Sequence, residues 1–498
     1  MQIQYTEIKD LPSLAWFAEI KDGKVEVIHG SHVENSDTWF VEGAWSGDFS
    51  KGNFIQSDWF CGTGGLLRED RIIFSTPTHV TSGLFMSKIS GGGYRVSNSL
   101  YFLMYKSGLH LDAQYLKYET DFNSITRGIE KYNPHIHVLD VNGNPASVTV
   151  YYYRNIEIDS RNQCSVTIKK KVVPFADFED YQNRLTNDMA AMYHNAQYKK
   201  RNYKYGIVTM ISKGYDAPCC AAVVKKIGGD TALTFTAEGK YEEDSGVEIA
   251  QKLGYSNIIE RDALAYKKRT DMPEIEYLSS GELGAEISFS VFEDIYKGNL
   301  VFTGERGDSI YDRLSKHRND EFYFINMQSG LSNAERRLWG GYIPVPMPLY
   351  GASAWPSLYE IANSTQMAKW QMNNSYDRPI PRRIIESAGV PRESFGIEKR
   401  GAGFSYHYDW LKRIVSRMSP VSAADFIKYV HDNRKLHPIQ YVVFFKNTFM
   451  VYLHRLGLRK DCTDIERLSS TPNPMAARYL IPWAGEHILR RYKEILER

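Results

Sequence analysis

Two short polar segments of this sequence, each placed directly after an apolar run of strand length, contain side chains suited to phosphate and metal chemistry. The first segment follows the run 205–211 and consists of Ser212, Lys213, Gly214, Tyr215, Asp216 and Ala217. Backbone N–H groups at the start of a following helix can surround an anion, and Lys213 would add a full positive charge. Asp216 would repel a bare phosphate, so its place here predicts a Mg²⁺ ion that bridges carboxylate and phosphate.

The second segment follows the run 299–303 and consists of Gly304, Glu305, Arg306, Gly307 and Asp308. It offers a further pair of carboxylates at the end of a strand. If the two strands are near neighbours in a sheet, Asp216 and Asp308 would share one metal ion, although 92 residues separate them (308 − 216). Glu305 would then be available as a general base.

Alternating strands and helices are predicted around both segments. The predicted elements are a strand at 205–211, a helix at 217–227, a strand at 231–237, a helix at 244–253, a strand near Ile258, a helix at 282–296 and a strand at 299–303. The first run is continuously apolar, as expected for a strand that is buried on both faces of a parallel sheet. Strict alternation is typical of a doubly wound α/β domain, in which ligands bind at the carboxyl ends of the strands.

The regions on either side have different patterns. Short β-rich runs separated by turn clusters predict a sandwich or layered sheet over about the first 155 residues. The clearest runs are 14–20, 24–29, 71–75 and 147–153, and one of the turn clusters is 62–65. A helix is predicted at about 177–198, and the chain from about residue 309 is mostly helical with proline-rich loops, ending in a basic helix near 478–498.

Composition narrows the classes of function. The 498 residues predict two or three domains, at roughly 150 residues per domain. Hydrophobic residues make up 43% and charged residues 24%, which is ordinary globular usage and excludes a disordered protein. The net charge of +2 gives no reason to expect a nucleic-acid partner or a membrane-surface binder.

The cysteine content and the hydropathy of the sequence predict the cellular compartment of the protein. Five cysteines, an odd number without paired spacing, are typical of a reducing compartment. The first ten residues do not have the pattern of a signal peptide. The most apolar late stretch, 441–453, is shorter than the roughly 20 residues of a membrane helix and contains Lys446 and Asn447. We therefore expect a soluble cytoplasmic protein without a membrane span, and leave a homo-oligomer open.

The two segments, in this order and context, resemble the motifs of the ATP-pyrophosphatase (PP-loop) domain of the asparagine synthetase superfamily. The family's Ser-Gly-Gly-x-Asp-Ser loop is similar to 212–217, and its Gly-Glu-Gly-Ala-Asp motif is similar to 304–308. The family's downstream lysine, in an Arg-x-Lys-x-x-Phe context, is similar to Lys399. The likeness extends over about 165–410.

This resemblance implies a fold class and a domain organisation. The protein would be α/β, with a degenerate glutaminase-like, Ntn-hydrolase-like layered domain at 1–160. A doubly wound, adenine nucleotide α-hydrolase-like synthetase domain would occupy 165–410, with 411–498 as its helical carboxyl-terminal part. Gln2 stands where glutaminases of this class have their Cys nucleophile, so no glutamine-dependent ammonia release is expected. In this respect the chain resembles β-lactam and carbapenam synthetases, lasso-peptide cyclases and asparagine-synthetase-like proteins of surface polysaccharide synthesis.

The resemblance also implies an ATP- and Mg²⁺-dependent ligase that adenylates a carboxylate, releases pyrophosphate and joins the acyl group to an amine or ammonia. The nucleotide would be bound by Ser212, Lys213, Gly214, Tyr215, Asp216, Thr234, Phe235 and Gly304, and the metal by Asp216 and Asp308. Glu305 would act as the base, and Lys399 would stabilise the leaving pyrophosphate. The guanidinium groups of Arg378, Arg382 and Arg383 suit a carboxylate substrate, such as a uronic-acid sugar or another small molecule or glycan, with a peptide carboxylate left open.

Two departures from the family's loop leave a second interpretation open. Lys213 stands in place of a glycine, and Ala217 in place of the final serine. The lost hydroxyl would cost a hydrogen bond to a charged group, about 1.5–3 kcal/mol. The alternative is a non-catalytic nucleotide-binding scaffold of a glycan or natural-product pathway. A PP-loop enzyme that modifies an RNA base is a third interpretation, which the near-neutral charge disfavours.

Overall fold

The computed structural model describes residues 1–236, 244–314, 331–397, 406, 410–435, 438–456 and 475–498. Within these residues the protein is mixed α/β, with two sheets in the amino-terminal part and one all-parallel sheet after them. The amino-terminal strands are β1 (Gln2–Glu7), β2 (Trp16–Lys21), β3 (Lys24–His29), β4 (Glu34–Asn35), β5 (Trp39–Trp45), β6 (Phe60–Arg68), β7 (Arg71–Ser75), β8 (Leu84–Lys88), β9 (Tyr94–Ser97), β10 (Leu109–His110), β11 (His135–Asp140), β12 (Pro145–Tyr151), β13 (Arg154–Asp159) and β14 (Cys164–Ile168). The α/β class predicted from the sequence is confirmed.

The amino-terminal strands form two layers. One sheet has eight strands in the order β1-β3-β2-β9-β8-β12-β11-β10, and the other has six in the order β14-β13-β7-β6-β5-β4. The rings of Trp16 in β2 and Phe74 in β7 stack with their centroids 5.8 Å apart, and the Trp16 indole N–H donates to Thr63 Oγ1 in β6 at 2.8 Å. The sheets therefore pack face to face through alternate side chains, as the strand pattern predicts. Because β14 pairs with β13, this layer extends beyond residue 160.

Residues 62–65, predicted as a turn cluster, lie inside β6. Gly62 faces Gly43 of β5 in the antiparallel pairing. A Cβ at Gly62 would lie 2.0 Å from the carbonyl oxygen of Glu42, and a Cβ at Gly43 would lie 2.2 Å from that of Cys61. Glycine is required here by the close approach of two strands and not by a chain reversal, so the turn prediction is wrong.

A parallel sheet follows the amino-terminal layers. Its strands are β15 (Gly206–Met210), β16 (Thr231–Phe235), β17 (Asn257–Arg261), β18 (Asn299–Thr303) and β19 (Ile343–Pro346), in the order β17-β16-β15-β18-β19. The first four confirm strands predicted from the sequence. The fifth falls in the region predicted to contain proline-rich loops and includes Pro344 and Pro346, but β19 lies at the edge of the sheet, where a strand tolerates proline.

The single helix predicted at 282–296 is wrong. In its place are a 3₁₀ segment at Ile287–Phe292 and one α-helical turn at Glu293–Tyr296. Leu283 and Gly284 precede them with φ values of 46° and 77°. Left-handed backbone ends a right-handed helix, so the chain turns here instead of continuing as one helix.

Helices cover the parallel sheet and continue into the carboxyl-terminal part. They are α1 (Leu100–Ser107), α2 (Tyr118–Phe122), α3 (Phe178–Ala196), α4 (Asp216–Lys226), α5 (Val247–Lys252), α6 (Ile275–Leu278), α7 (Glu293–Tyr296), α8 (Gly307–Ile310), α9 (Asn333–Gly340), α10 (Trp355–Asn363), α11 (Pro379–Ser387), α12 (Leu411–Val415), α13 (Pro420–Asn433), α14 (Pro438–Arg455) and α15 (Leu480–Leu496). Short 3₁₀ segments lie at Phe49–Lys51, Phe54–Gln56, Asn123–Arg127, Ala265–Lys268, Ile287–Phe292, Met347–Ala354, Thr365–Trp370, Arg392–Ser394 and Ala476–Tyr479. The helices predicted at 177–198 and 217–227 are confirmed as α3 and α4. Among the described residues, no helix combines the length and the apolar character that a membrane crossing requires.

A buried ion pair joins the amino-terminal layers to the region of the parallel sheet. Arg337 in α9 donates two hydrogen bonds of 2.7 Å to the two carboxylate oxygens of Glu42 in β5. Thr63 and Asn98 donate to the same carboxylate at 2.7 Å and 3.3 Å. Glu42 and Arg337 are both almost fully buried, so each depends on the other for its counter-charge.

The carboxyl-terminal helix returns to the amino-terminal part. The ring of Tyr492 in α15 stacks on Phe102 in α1, with the centroids 5.0 Å apart. Glu335 in α9 accepts hydrogen bonds from the hydroxyls of Ser99 at 2.9 Å and Tyr492 at 3.3 Å. Burial raises the pKa of Glu335 to about 7. This network joins α1, α9 and α15 in one interior.

We expect Lys169→Met to stabilise the fold. Lys169 Nζ is buried, donates to Ser75 Oγ at 2.6 Å and lies 5.9 Å from the ring centre of Phe60. Burial lowers the pKa of Lys169 from 10.5 to about 7. As pH falls from 10.5 to 7, the unfolded chain binds a proton at Lys169 that the folded chain does not. The free-energy cost of burying Lys169 therefore grows over this range and is constant at lower pH.

The increase in the free energy of unfolding caused by Lys169→Met should therefore be larger at pH 7 than at pH 10. At pH 7 we expect about 2–4 kcal/mol, once the loss of the hydrogen bond to Ser75 has been subtracted. Urea unfolding at both pH values measures it. The neighbouring Lys170 is exposed, and Lys170→Met is the control that should change little. An equal effect of the two substitutions would contradict this account of Lys169.

Candidate functional site

The strand order brings the two polar segments to the same edge of the parallel sheet. β15 pairs with β16 on one side and with β18 on the other, so the chain order reverses direction between β15 and β18. In doubly wound sheets this switch point opens a crevice at the carboxyl ends of the strands. The segment 212–217 leaves β15 there, and 304–308 leaves β18 beside it.

The two segments touch at glycine. A Cβ placed on Gly304 would lie 2.5 Å from the backbone nitrogen of Ala217, and one placed on Gly307 would lie 2.2 Å from Oδ1 of Asp216. Both distances are too short for any side chain. The start of α4, which carries Asp216, is therefore seated directly against the backbone that leads to Asp308.

A cavity of about 390 Å³ opens at this edge. Its acidic lining includes Asp216, Asp244 and Asp308. One wall is aromatic, because the rings of Phe235 and Phe289 stack with their centroids 5.7 Å apart and their planes within 8°. The cavity therefore combines carboxylates and the N-terminus of a helix with a flat apolar wall, a combination that suits a metal-bound phosphate joined to a planar base.

Three glutamates form a cluster in the same cavity. Carboxylate oxygens of Glu282, Glu286 and Glu305 all lie within 4.8 Å of one another, close enough to hold a metal ion. Burial and the charge of Glu282 raise the pKa of Glu305 to about 7, while Arg306 acts in the opposite direction. Burial and both neighbouring glutamates also raise the pKa of Glu286. A carboxyl group that titrates near neutral pH can exchange a proton with a bound amine.

Arg306 holds one side of this cluster. Its guanidinium donates to Glu282 at 2.8 Å, and both side chains are nearly fully buried. Its φ of 69° lies in the left-handed region, which favours glycine. The ion pair with Glu282 offsets this backbone strain at the edge of the cavity.

The structure brings part of the predicted nucleotide-binding set together. Ser212, Gly214, Asp216, Phe235 and Gly304 line the cavity. The predicted metal ligands Asp216 and Asp308 and the predicted base Glu305 line it as well. Lys399 lies outside the described residues.

Three residues predicted to bind the nucleotide are placed elsewhere. Thr234 is buried below the edge, and its hydroxyl oxygen accepts the N–H of Gly246 at 2.8 Å. Tyr215 is buried on the other side of its loop, where its hydroxyl accepts a hydrogen bond of 2.6 Å from Arg382. The backbone of Lys213 donates to Asp244 at 3.3 Å, while its half-buried side chain lies outside the cavity lining.

The three arginines predicted to bind a carboxylate substrate are engaged in internal ion pairs. The pairs are Arg378–Asp312 at 2.9 Å, Arg382–Glu386 at 3.4 Å and Arg383–Glu179. Arg382 has no exposed surface, and the guanidinium of Arg383 lies over the ring of Phe178 at 3.9 Å. The structure does not bring these arginines together at the cavity.

Sequence analysis missed several residues of the cavity. Glu282 and Glu286 stand four positions apart, a spacing that would place both carboxylates on one face of the helix predicted there. The structure has no helix at 282–286, and the two glutamates meet across the turn at Leu283 and Gly284. Phe289, Asp244 and Tyr376 had no comparable signal, because they reach the cavity from separate segments. Phe289 belongs to the 3₁₀ segment Ile287–Phe292, while Asp244 and Tyr376 lie in loops.

Comparison with known proteins identifies no family. No protein-family model matches the chain, and no curated protein matches it.

We expect Gly307→Ala to be destabilising and Gly214→Ala to be tolerated. The new Cβ at position 307 would lie 2.2 Å from Oδ1 and 2.7 Å from Cβ of Asp216, so α4 would have to move. The nearest atom to a Cβ at position 214 is 3.6 Å away, an ordinary contact. Thermal unfolding should show a loss of roughly 1–3 kcal/mol for the first variant alone. Equal stability of the two variants would contradict the close contact of the two segments.

Proposed function

We propose that the protein is an ATP- and Mg²⁺-dependent ligase that forms an amide bond and releases AMP and pyrophosphate. The observation that carries the proposal is that Asp216 and Asp308 line one cavity that also contains Glu305. The two aspartates come from the segments that follow the neighbouring strands β15 and β18. This is the arrangement expected of the asparagine synthetase superfamily, which the motifs of the sequence resemble. Incubation with ATP, Mg²⁺, uronic acids and ammonia, with detection of AMP and pyrophosphate, tests it.

The nucleotide would lie across the carboxyl edge of the sheet. Its phosphates would meet the N–H groups at the start of α4, where the helix dipole favours negative charge. The adenine would lie against the wall of Phe235 and Phe289. Asp216 and Asp308 offer the hard oxygen ligands that Mg²⁺ prefers, and the bound ion would neutralise phosphate charge.

Glu305 would act as the base in amide formation. In that step the amine nitrogen bonds to the acyl carbon of the acyl-adenylate, the bond from that carbon to the AMP oxygen breaks, and the amine proton passes to the Glu305 carboxylate. A pKa of about 7 suits a group that must be ionised at neutral pH and then take a proton.

A fold for each part of the chain and a class of substrate follow from the proposed function. The two facing sheets are taken as a glutaminase-like shell without its nucleophile, and the parallel sheet as an adenine nucleotide α-hydrolase-like domain. The carboxylate would be a uronic-acid sugar of surface polysaccharide synthesis. Because the three candidate arginines are paired internally, its recognition is assigned to the cavity lining, where Ser212 and Ser288 offer hydroxyls.

A non-catalytic nucleotide-binding scaffold is the second candidate. It is favoured by Lys213 and Ala217, which depart from the family's loop, and by the position of the Lys213 side chain outside the cavity lining. Calorimetry combined with an assay for pyrophosphate separates the two functions. Tight ATP binding without turnover, across a panel of acids and amines, would favour the scaffold.

We expect Asp216→Asn to abolish Mg²⁺-dependent ATP binding under either function. The amide keeps the size of the side chain but removes the charge that a metal–phosphate complex requires, so the Kd should rise by at least about tenfold. Isothermal calorimetry with and without Mg²⁺ measures the effect. Asp230→Asn is the matched control, because Asp230 precedes β16 at the opposite edge of the sheet and bonds to Lys225. Unchanged binding by Asp216→Asn would refute the assignment.

We expect amide formation to depend on pH through Glu305. The carboxylate form is the active base, so kcat/KM should rise with pH and level off above about 7, the value to which burial and Glu282 raise the pKa of Glu305. Glu305→Gln should lower the rate roughly 10²–10⁴-fold and remove this limb of the profile. Formation of the amide product, measured across pH with the amine as the varied substrate, tests both points. A variant that keeps the wild-type profile would exclude Glu305 as the base.

A further inference from the structure

The helix α14 presents an apolar face to the outside of the protein. Val442, Phe445, Phe449 and Tyr452 on this helix, and Leu456 just after it, are between 48% and 67% exposed. Single exposed apolar residues are common on protein surfaces, but a contiguous set of this size marks an interaction site.

The five residues form one stripe. Their spacing is three, four, three and four positions, which confines them to an arc of about 80° on an α-helix. Trp410, just before α12, is 58% exposed and stacks on Phe445 with the ring centroids 6.4 Å apart. The apolar surface therefore extends sideways from the helix and is rich in aromatic rings.

Basic residues outnumber acidic ones around α14, although Asp432 and Asp461 stand directly on either side of the basic stretch. The sequence from 433 to 460 contains six Lys or Arg residues and neither Asp nor Glu. Arg434 and Lys435 precede the helix, and Lys446 lies beside the stripe; all three are exposed. The net charge of the chain is only +2, so this basic character is local.

An apolar stripe with aromatic rings and flanking cations is the pattern of a helix that lies in the plane of a membrane surface. We propose that α14 binds an anionic phospholipid bilayer, with the stripe and Trp410 among the acyl chains and the basic residues at the headgroups. A second copy of the chain is a poorer occupant, because two copies of this helix would bring like charges together. The length of α14, 18 residues with Lys446 among them, suits this orientation.

Membrane binding by α14 goes beyond the proposed ligase activity and does not depend on it. It also differs from the expectation that a near-neutral chain is not a membrane-surface binder, because the attraction of a basic segment falls off within a Debye length and only local charge matters.

Flotation of the full chain with vesicles tests the proposal. We expect the protein to float with vesicles of phosphatidylcholine that contain phosphatidylglycerol, to bind pure phosphatidylcholine weakly, and to be released by salt. Phe445→Ser combined with Phe449→Ser should weaken binding about 10- to 100-fold, since each buried ring supplies part of the affinity. Lys435→Glu combined with Lys446→Glu should abolish the preference for anionic vesicles.

Val141→Ser is the matched control, since Val141 is 78% exposed but lies between β11 and β12. Circular dichroism and thermal unfolding show whether each variant is folded. Binding that is absent from anionic vesicles, or unaffected by the phenylalanine variant, overturns the proposal. So does a dimer, seen by light scattering, that the phenylalanine variant alone dissociates, because the occupant would then be a second copy.

Discussion

The contact between the start of α4 and the glycines that follow β18 is the constraint on which the rest of the site depends. Parallel pairing of β15 with β18 brings the ends of both strands together, but only a backbone without Cβ at Gly304 and Gly307 lets Asp216 lie against it. The buried strands fix the distance between the segments that follow β15 and β18. The glycines make this distance short enough for carboxylates from distant parts of the sequence to face one cavity.

Much of the parallel sheet could be predicted because its strands are continuous apolar runs bounded by glycine or polar residues. The strand at Asn299–Thr303 has the predicted bounds for this reason. β19 and the interior glycines of β6 could not be predicted from the sequence. Proline and glycine usually indicate a turn or loop, but they also occur in edge strands and where two strands approach closely. Only the pairing with a neighbouring strand shows whether such residues lie in a loop or in a strand.

The site was predictable to the level of segments but not to the level of every side chain. Position after a strand placed 212–217 and 304–308 correctly at one edge. It did not determine that Tyr215 turns inward to Arg382, or that the neighbouring arginines pair with acids of other elements. Such pairings join residues that are 66, 167 and 204 positions apart, and a local pattern of charges carries no information about them.

The Glu42–Arg337 pair limits how the chain can be divided. A fragment that lacks the amino-terminal layers would expose Arg337 of α9 to water. In the whole chain, loss of the Glu42 carboxylate alone would leave a buried charge without its partner, at a cost of about 3–5 kcal/mol. That is a large fraction of the stability of an ordinary domain. A cut at the boundary of the amino-terminal layers would therefore remove both the partner of Arg337 and the surface that covers it, so the parallel sheet and the helices around it would not keep the same interior on their own.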